Sequence, residues 1–320
     1  MNIQFEKRNK CPICNSLESI EIFSIPYSHE VMRRYLADSY EIDLEEFELI
    51  SDGIPYQVQK CCSCGSLFQL FQPNLNLLLK IYDQYIDSDE SLKRKKFPSN
   101  DTLWLYSGEM SLLSSLINKG VADTQLLDYA CGWGIWAKVA KGWGYEVSTL
   151  ELSESRSRHL QLAGITVINS LIDKIEYFDF INCDQVFEHL CNPIVNLTEI
   201  NKSLKSGGVV KISIPYSPVS WLSTWSLARF GKGKGTPPDI MAPLEHLNYC
   251  NRKGLRILAE HAGFEVINIS LVDYFLHFKI IGSSFSNTIK NIARPFYRRF
   301  FANVIFLRKN NNPIKQIQSS

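Results

Sequence analysis

No stretch of this chain approaches the roughly 18 consecutive apolar residues of a membrane span, and its start, Met1 to Lys7, lacks the apolar core of a signal peptide. Strong net charge is absent as well: 34 Lys and Arg against 33 Asp and Glu leave +1. That balance argues against a dedicated nucleic-acid binder, which would be strongly basic, so no nucleic-acid partner is expected. A further absence is local. No acidic residue follows Asp273, whereas Lys279, Lys290, Arg294, Arg298, Arg299, Arg308, Lys309 and Lys315 all do. The expected location is the cytoplasm, where nine cysteines would stay reduced, so paired cysteines point to metal rather than disulfides. What is present is ordinary for a globular enzyme: 45% hydrophobic and 21% charged residues over 320 positions, enough for one large domain and an appendage.

Two C-x-x-C units stand near the N-terminus, Cys11-Pro12-Ile13-Cys14 and Cys61-Cys62-Ser63-Cys64. Each can form a knuckle that aims two thiolates at one ion, and two knuckles supply the tetrahedral sulfur shell of structural Zn²⁺. Cys11, Cys14, Cys61 and Cys64 are the expected ligands. Cys62 is the ambiguous member, because Cys62-x-Cys64 could also bind. A shell of four sulfurs has no vacant position, so this metal should fold a module rather than do chemistry. The module is expected over residues 1–72, with helices at His29–Leu36 and Leu44–Leu49 and a strand at Pro55–Lys60. A helical and polar connector follows over 73–100, its Lys93-Arg94-Lys95-Lys96 run read as a solvated face.

The run Leu126-Leu127-Asp128-Tyr129 reads as a buried parallel strand, and Gly132 and Gly134 let the backbone turn sharply into a helix. A nucleotide-like cofactor can then approach bare main chain at a helix N-terminus. Gly132-x-Gly134-x-x-Ala137 also fits a dinucleotide fingerprint, so an NAD-dependent oxidoreductase is one alternative and a non-catalytic Rossmann-like sensor another. Asp128 to Gly134 resembles the first motif of the class I S-adenosylmethionine-dependent methyltransferases, D-x-G-x-G-x-G, with Ala130 at its first glycine. Downstream, Phe178 to Leu190 resembles the family's F-D-x-I-x-x-x-x-V-x-E-H block. Lys205-Ser206-Gly207-Gly208, followed by apolar residues and Pro215, is also similar to that family. The resemblance covers residues 101–310 and implies an α/β fold: a Rossmann-like seven-stranded sheet whose final strand is antiparallel. Together with the cysteines it resembles bacterial sugar and natural-product methyltransferases that carry an N-terminal zinc module.

That resemblance implies a set of roles. The Asp128 carboxylate faces the donor's ammonium, while Ala130, Gly132 and Gly134 form the turn beneath the donor. Glu151 ends an apolar strand roughly 20 residues on, where an acid accepts ribose hydroxyls. Leu152 lies beside it, Ser170 and Leu171 flank the adenine, and Asp184 and Gln185 end the strand nearest the methyl group. His189 lines the acceptor side, and Tyr82 and Tyr85 lie over the donor. Glu245-His246 resembles an E-H pair of sugar methyltransferases in which the histidine approaches the reacting atom. A histidine can take a hydroxyl proton as attack proceeds, so His246 is the favoured base, with His189 second and Glu245 beside them.

Two insertions break the regular pattern, at 217–243 and 271–301. The first carries Trp221, Trp225 and Phe230 among glycines and prolines, as a lid or as cover for the sheet edge. In the second, Ile289, Ile292, Ala293, Phe296 and Phe300 make an apolar helical face, with Arg294, Arg298 and Arg299 opposite. Over 283–301 that face either packs on the domain or makes peripheral contact with an anionic membrane. Residues 311–320 read as a disordered tail. The expected activity is O-methylation of a small molecule, a nucleotide- or lipid-linked sugar in glycan or natural-product assembly. Sugar C-methylation is the alternative, disfavoured because Pro243 stands where those enzymes have a tyrosine. An RNA or protein methyltransferase is disfavoured by the neutral charge and the missing Asn/Asp-Pro-Pro-Tyr motif. Nothing in the sequence specifies the oligomeric state.

Overall fold

Short strands and capped helices open the chain: β1 (Phe5–Lys7), β2 (Ser19–Pro26), α1 (Glu30–Ser39), α2 (Leu44–Ile50), β3 (Pro55–Cys61), β4 (Leu67–Gln69), β5 (Phe71–Pro73) and α3 (Leu75–Lys80). Their limits follow from side-chain chemistry. Asp43 accepts the Glu45 and Glu46 amides at the start of α2, and Asn74 accepts the Leu77 amide at the start of α3. The connector is helical as expected at its start, but α3 gives way at Ile81 to one π-helical turn, Ile81–Tyr85. This computed structural model describes residues 4–86, 92–93, 97–215, 220–282 and 284–310, with side chains undescribed at 220–224. The tail expected at 311–320, most of the basic run at 93–96 and the Trp221 side chain lie outside the described residues.

The chain continues with α4 (Asn100–Leu116), β6 (Gln125–Tyr129), α5 (Ile135–Gly142), β7 (Glu146–Leu150), α6 (Glu154–Leu162), β8 (Thr166–Ile168), β9 (Phe178–Asp184), α7 (Pro193–Ser203) and β10 (Leu204–Ser213). Then come α8 (Ser220–Gly231), β11 (Asn248–Tyr249), α9 (Arg252–His261), β12 (Phe264–Ile267), α10 (Leu271–His277), α11 (Phe285–Phe300) and β13 (Val304–Lys309). Helix α4 stops at Leu116 rather than at the Gly120 C-cap that periodicity suggests, because β-branched Ile117 is already extended (φ −110°, ψ 99°). No described helix is long and apolar enough to cross a membrane.

Two compact units result. One comprises residues 1–91, 187–194 and 214–258, the other 92–186, 195–213 and 259–320. In the first, a four-stranded sheet of order β11-β4-β3-β2 contributes Tyr56 of β3 to an apolar cluster with Tyr27, Phe47 and Phe5 of β1, which pairs with β5. The linear boundaries 1–72, 73–100 and 101–310 do not coincide with these spatial units. Within 217–243, Leu227, Phe230, Ile240 and Met241 belong to the same apolar cluster as Tyr27 and Tyr56. Phe230 meets Tyr35 edge-on at 5.8 Å. In the first unit, then, this segment acts as core.

The second unit holds a seven-stranded sheet of order β12-β13-β10-β9-β6-β7-β8. Only β13 runs antiparallel to its neighbours, β10 and β12. Strands β6 and β9 are buried on both faces, which is why they read as near-continuous apolar runs. Register aligns the C-terminal ends of β6, β7 and β8: Tyr129 pairs with Leu150, and Leu150 with Ile168. The residues that follow each strand therefore share one rim, where ligands bind in open α/β sheets.

Candidate active site

At that rim β6 ends in an elbow whose backbone is held in left-handed conformations at Ala130 (φ 52°), Gly132 (φ 56°) and Gly134 (φ 65°). For Ala130 this costs on the order of 1 kcal/mol, the expense of replacing a glycine there. The two glycines serve different ends. A Cβ on Gly134 would lie 2.2 Å from Leu160 Cδ2, so this glycine permits helix packing. A Cβ on Gly132 would meet nothing within 4 Å, which leaves open space over bare main chain for a ligand. The Gly132 amide donates to Glu151 Oε2 at 2.8 Å, and the Ser153 amide donates to Glu151 Oε1 at 2.9 Å. The acid that ends β7 is thus fixed against the elbow.

Asp128 is buried beneath, accepting from Asn182 Nδ2 at 2.7 Å. Burial raises its pKa to about 7, with Asn182 only partly opposing the shift. Asp184 at the end of β9 is held below the ordinary carboxylate value. Burial alone would raise it, but Lys211, the Ser213 hydroxyl, the Tyr106 hydroxyl and Arg298 together outweigh that effect. Gln185 follows in a left-handed conformation (φ 56°), its amide donating to the Ser213 carbonyl. Leu152 and Ser170 are exposed on the rim and Leu171 is buried. The Ser170 hydroxyl accepts the Ile172 amide, which shapes the turn after β8. Asp128, Gly132, Glu151 and Asp184 together offer bare main chain, three carboxylates and open space suited to a nucleoside carrying an amino-acid tail.

Sequence reading missed Lys211. It is buried in β10 between Glu109, whose carboxylate accepts from its Nζ at 2.7 Å, and Asp184. Burial would lower its pKa, but the two acids raise it instead. The signal was available, since Lys211 interrupts the apolar run Val209-Val210-Lys211-Ile212, and a lysine there requires buried acids.

In the first unit, the histidine ring of His189 lies 4.7 Å from that of His246, nearly perpendicular at 73°. His189 Nδ1 is 3.0 Å from the Glu245 carbonyl and 2.8 Å from the Tyr82 hydroxyl. His246 Nδ1 meets the Asp239 carbonyl. A carbonyl can only accept, so His246 carries its proton on Nδ1 and keeps its Nε2 lone pair. His189 Nδ1, set between a carbonyl and a hydroxyl, is compatible with either tautomer, and its Nε2 lies 3.9 Å from Glu188 Oε1. Burial pushes the His246 pKa down, against the Asp239 carbonyl and the Glu245 and Asp239 charges. Its ring is therefore neutral, as a base must be. Tyr40 donates its hydroxyl toward Glu245 Oε1 (2.7 Å) and the Pro243 carbonyl (2.8 Å), pinning the strained Leu244 (φ 69°) between them. Tyr82 sits on His189, while Tyr85 is buried in the core of the first unit. Buried Glu188 completes a set whose ligand atoms lie within 4.8 Å of one another, a carboxylate and two imidazoles that could also hold a divalent cation.

The cysteines converge elsewhere in the same unit. Cys11 Sγ is 3.7 Å from Cys64 Sγ, and Cys14 Sγ is 3.5 Å from Cys61 Sγ. Sulfurs at about 2.3 Å from a tetrahedral Zn²⁺ would stand about 3.8 Å apart. The two knuckles repeat each other: Cys11 donates its amide to Ser16 and Cys61 to Ser66, while Asn15 (φ 59°) and Gly65 (φ 74°) take the same left-handed place. The Cys11–Cys64 contact lowers the Cys64 pKa to about 4 and raises that of Cys11. Cys62 is exposed and outside the four-sulfur group.

Fold and elbow define a Rossmann-like domain, and comparison with known proteins gives the family. A family described as a methyltransferase domain matches residues 110–269, half of the chain, and the chain belongs to it. It is an S-adenosylmethionine-dependent methyltransferase, and the NAD alternative falls. Among curated relatives, a ubiquinone biosynthesis O-methyltransferase from Thiobacillus denitrificans is 31% identical over 29% of this chain and 45% of its own length. One from Actinobacillus pleuropneumoniae is 25% identical over 43% of this chain and 68% of its own. This chain thus spans less than half the length of the first of these relatives. Among solved structures, an S-adenosylmethionine-dependent methyltransferase from Mesorhizobium loti is similar at TM-score 0.41 and 14% identity, over 64% of this chain and all of that one. Another from Archaeoglobus fulgidus gives 0.40 and 18%, over 74% of this chain and all of that one.

Proposed function

We propose that this enzyme transfers the donor's methyl group to a hydroxyl oxygen of a small molecule, a sugar carried on a nucleotide or a lipid. The observation that supports it most is His246, a neutral imidazole with its proton on Nδ1, whose ring lies 4.7 Å from that of His189. In this reading the acceptor oxygen forms the new O–C bond as the S–C bond breaks, and the sulfonium keeps that electron pair as a thioether. The hydroxyl proton passes to His246 Nε2, with His189 and Glu245 holding the segment in place. Pro243, where carbon-methylating sugar enzymes carry a tyrosine, favours oxygen. The relatives' names favour oxygen too, and they motivate a second reading in which the hydroxyl is phenolic. A panel of nucleotide sugars and catechols, assayed for formation of the demethylated donor, tests both. Turnover with the sugars alone is the expected outcome. Turnover confined to the catechols overturns the sugar reading.

Donor binding rests on Asp128, Glu151 and the elbow amides, with Leu152, Ser170, Leu171, Asp184 and Gln185 around the rim. Asp128 titrates near 7 without donor, and a cationic ammonium favours its ionised form. Below that value binding must first expel a proton. Calorimetric affinity should therefore rise by up to about tenfold per pH unit from about pH 5.5 to about 7, then level. The protein without donor should show the opposite trend, losing stability as pH rises from about 4 through about 7, because its folded state holds the proton more tightly than the unfolded chain. A donor affinity that stays flat across this range would remove Asp128 from the ammonium site. The four cysteines hold one structural Zn²⁺ that supports folding of the first unit and takes no part in transfer.

A further inference from the structure

We propose that α11 docks this enzyme on an anionic lipid bilayer. Amphipathic helices of soluble domains turn the apolar stripe inward. Here the arrangement is reversed. Phe285 (83% exposed), Ile289 (52%), Ile292 (45%), Phe296 (44%) and Phe300 (52%) recur at helical spacing on one outward face. The buried positions of the helix are instead Asn291 and Pro295. Phe296 meets Phe275 of α10 edge-on at 5.8 Å. Val272, one turn before Phe275 on the same side of α10, is 65% exposed, and its i+4 neighbour Leu276 is 73% exposed. So the apolar patch spans two helices, both in the connection from β12 to β13, which the sheet clamps at each end. A patch this continuous marks an interaction site.

Charge identifies the occupant. From Tyr274 to Asn310 the chain has no acid, and Asp273, the last one, is engaged in the Ser270 cap of α10. Arg294 and Arg298 turn inward toward Asp101 and Glu109. On the helical projection Arg299 lies beside the apolar stripe and Lys290 beyond its other edge, where long side chains can snorkel to lipid phosphates. A second copy of this chain is a poor fit. Stripe against stripe would bring these cations together with no acid in the segment to answer them. An interfacial helix that buries three phenylalanines and two isoleucines while its cations meet anionic headgroups satisfies both features.

The test uses the full chain in flotation with vesicles of phosphatidylcholine alone and of phosphatidylcholine with phosphatidylglycerol. Binding is expected to the mixed vesicles, much weaker binding to the neutral ones, and a decline as salt is raised. Replacing Phe285, Phe296 and Phe300 by Ser should weaken binding at least about tenfold. Donor affinity should be unchanged, which reports that the fold is intact. As a second variant, Lys290→Glu with Arg299→Glu should abolish the preference for phosphatidylglycerol. The proposal is overturned if the wild-type protein floats with neither vesicle, or if both variants bind as the wild type does. It is equally overturned if sedimentation without lipid shows a dimer that the serine variant converts to monomer.

Discussion

Replacing His246 by alanine should lower turnover by about 10²–10³-fold while leaving donor affinity within about twofold of wild type. The magnitude is that of a general base, and the separation of the two readouts is what gives the test its force. His246 belongs to the unit containing residues 214–258, whereas Asp128, Gly132 and Glu151 belong to the other. Their hydrogen-bond networks share no member: His246 leans on the Asp239 carbonyl, and Glu151 on the Gly132 and Ser153 amides. His189→Ala should cost less, because its ring is the secondary candidate. Turnover unaffected by His246→Ala would exclude it as base, and lost donor binding would mean the substitution had damaged the fold instead.

The second large effect concerns the cysteines. Structural zinc contributes roughly 10 kcal/mol or more to a small module, comparable with or larger than the whole stability of a domain. Cys14→Ser leaves three sulfurs and should yield aggregated protein, while freshly purified wild type should carry about one zinc per chain. Chelation should reproduce the defect and zinc should reverse it. A soluble, folded, metal-free wild type would refute the proposal. Cys62→Ser serves as the control, since that thiol is exposed and outside the four-sulfur group.

Much of the second unit was legible in the sequence because its signals are local. Leu126-Leu127, the Gly132 and Gly134 turn and the acid at Glu151 each announce themselves within a few residues. The strand read at Leu126–Tyr129 lies within β6, and Glu151 follows β7 directly. The first unit was legible only in pieces. Its C-x-x-C spacing and helix caps were visible, but the partnership of Phe230 with Tyr35 joins positions far apart in the chain, and no periodicity announces such a contact. Lys211 interrupts an apolar run, but what it pairs with is not local: it sits in strand β10 and its partner Glu109 in helix α4. The apolar stripe of α11 was plain from helical spacing, yet spacing cannot say whether a stripe faces protein or solvent.

The first unit is assembled from three stretches, and the last of them ends at Leu258. During synthesis its core must therefore wait for Leu227, Phe230 and Leu247 to leave the ribosome, even if the knuckles have already closed around metal. A fragment cut before residue 214 would present the sides of Tyr27 and Tyr56 to water and should clump. Neither part can be excised at a linear boundary, so any trimmed version of this enzyme has to keep the middle of the chain or rejoin it by circular permutation.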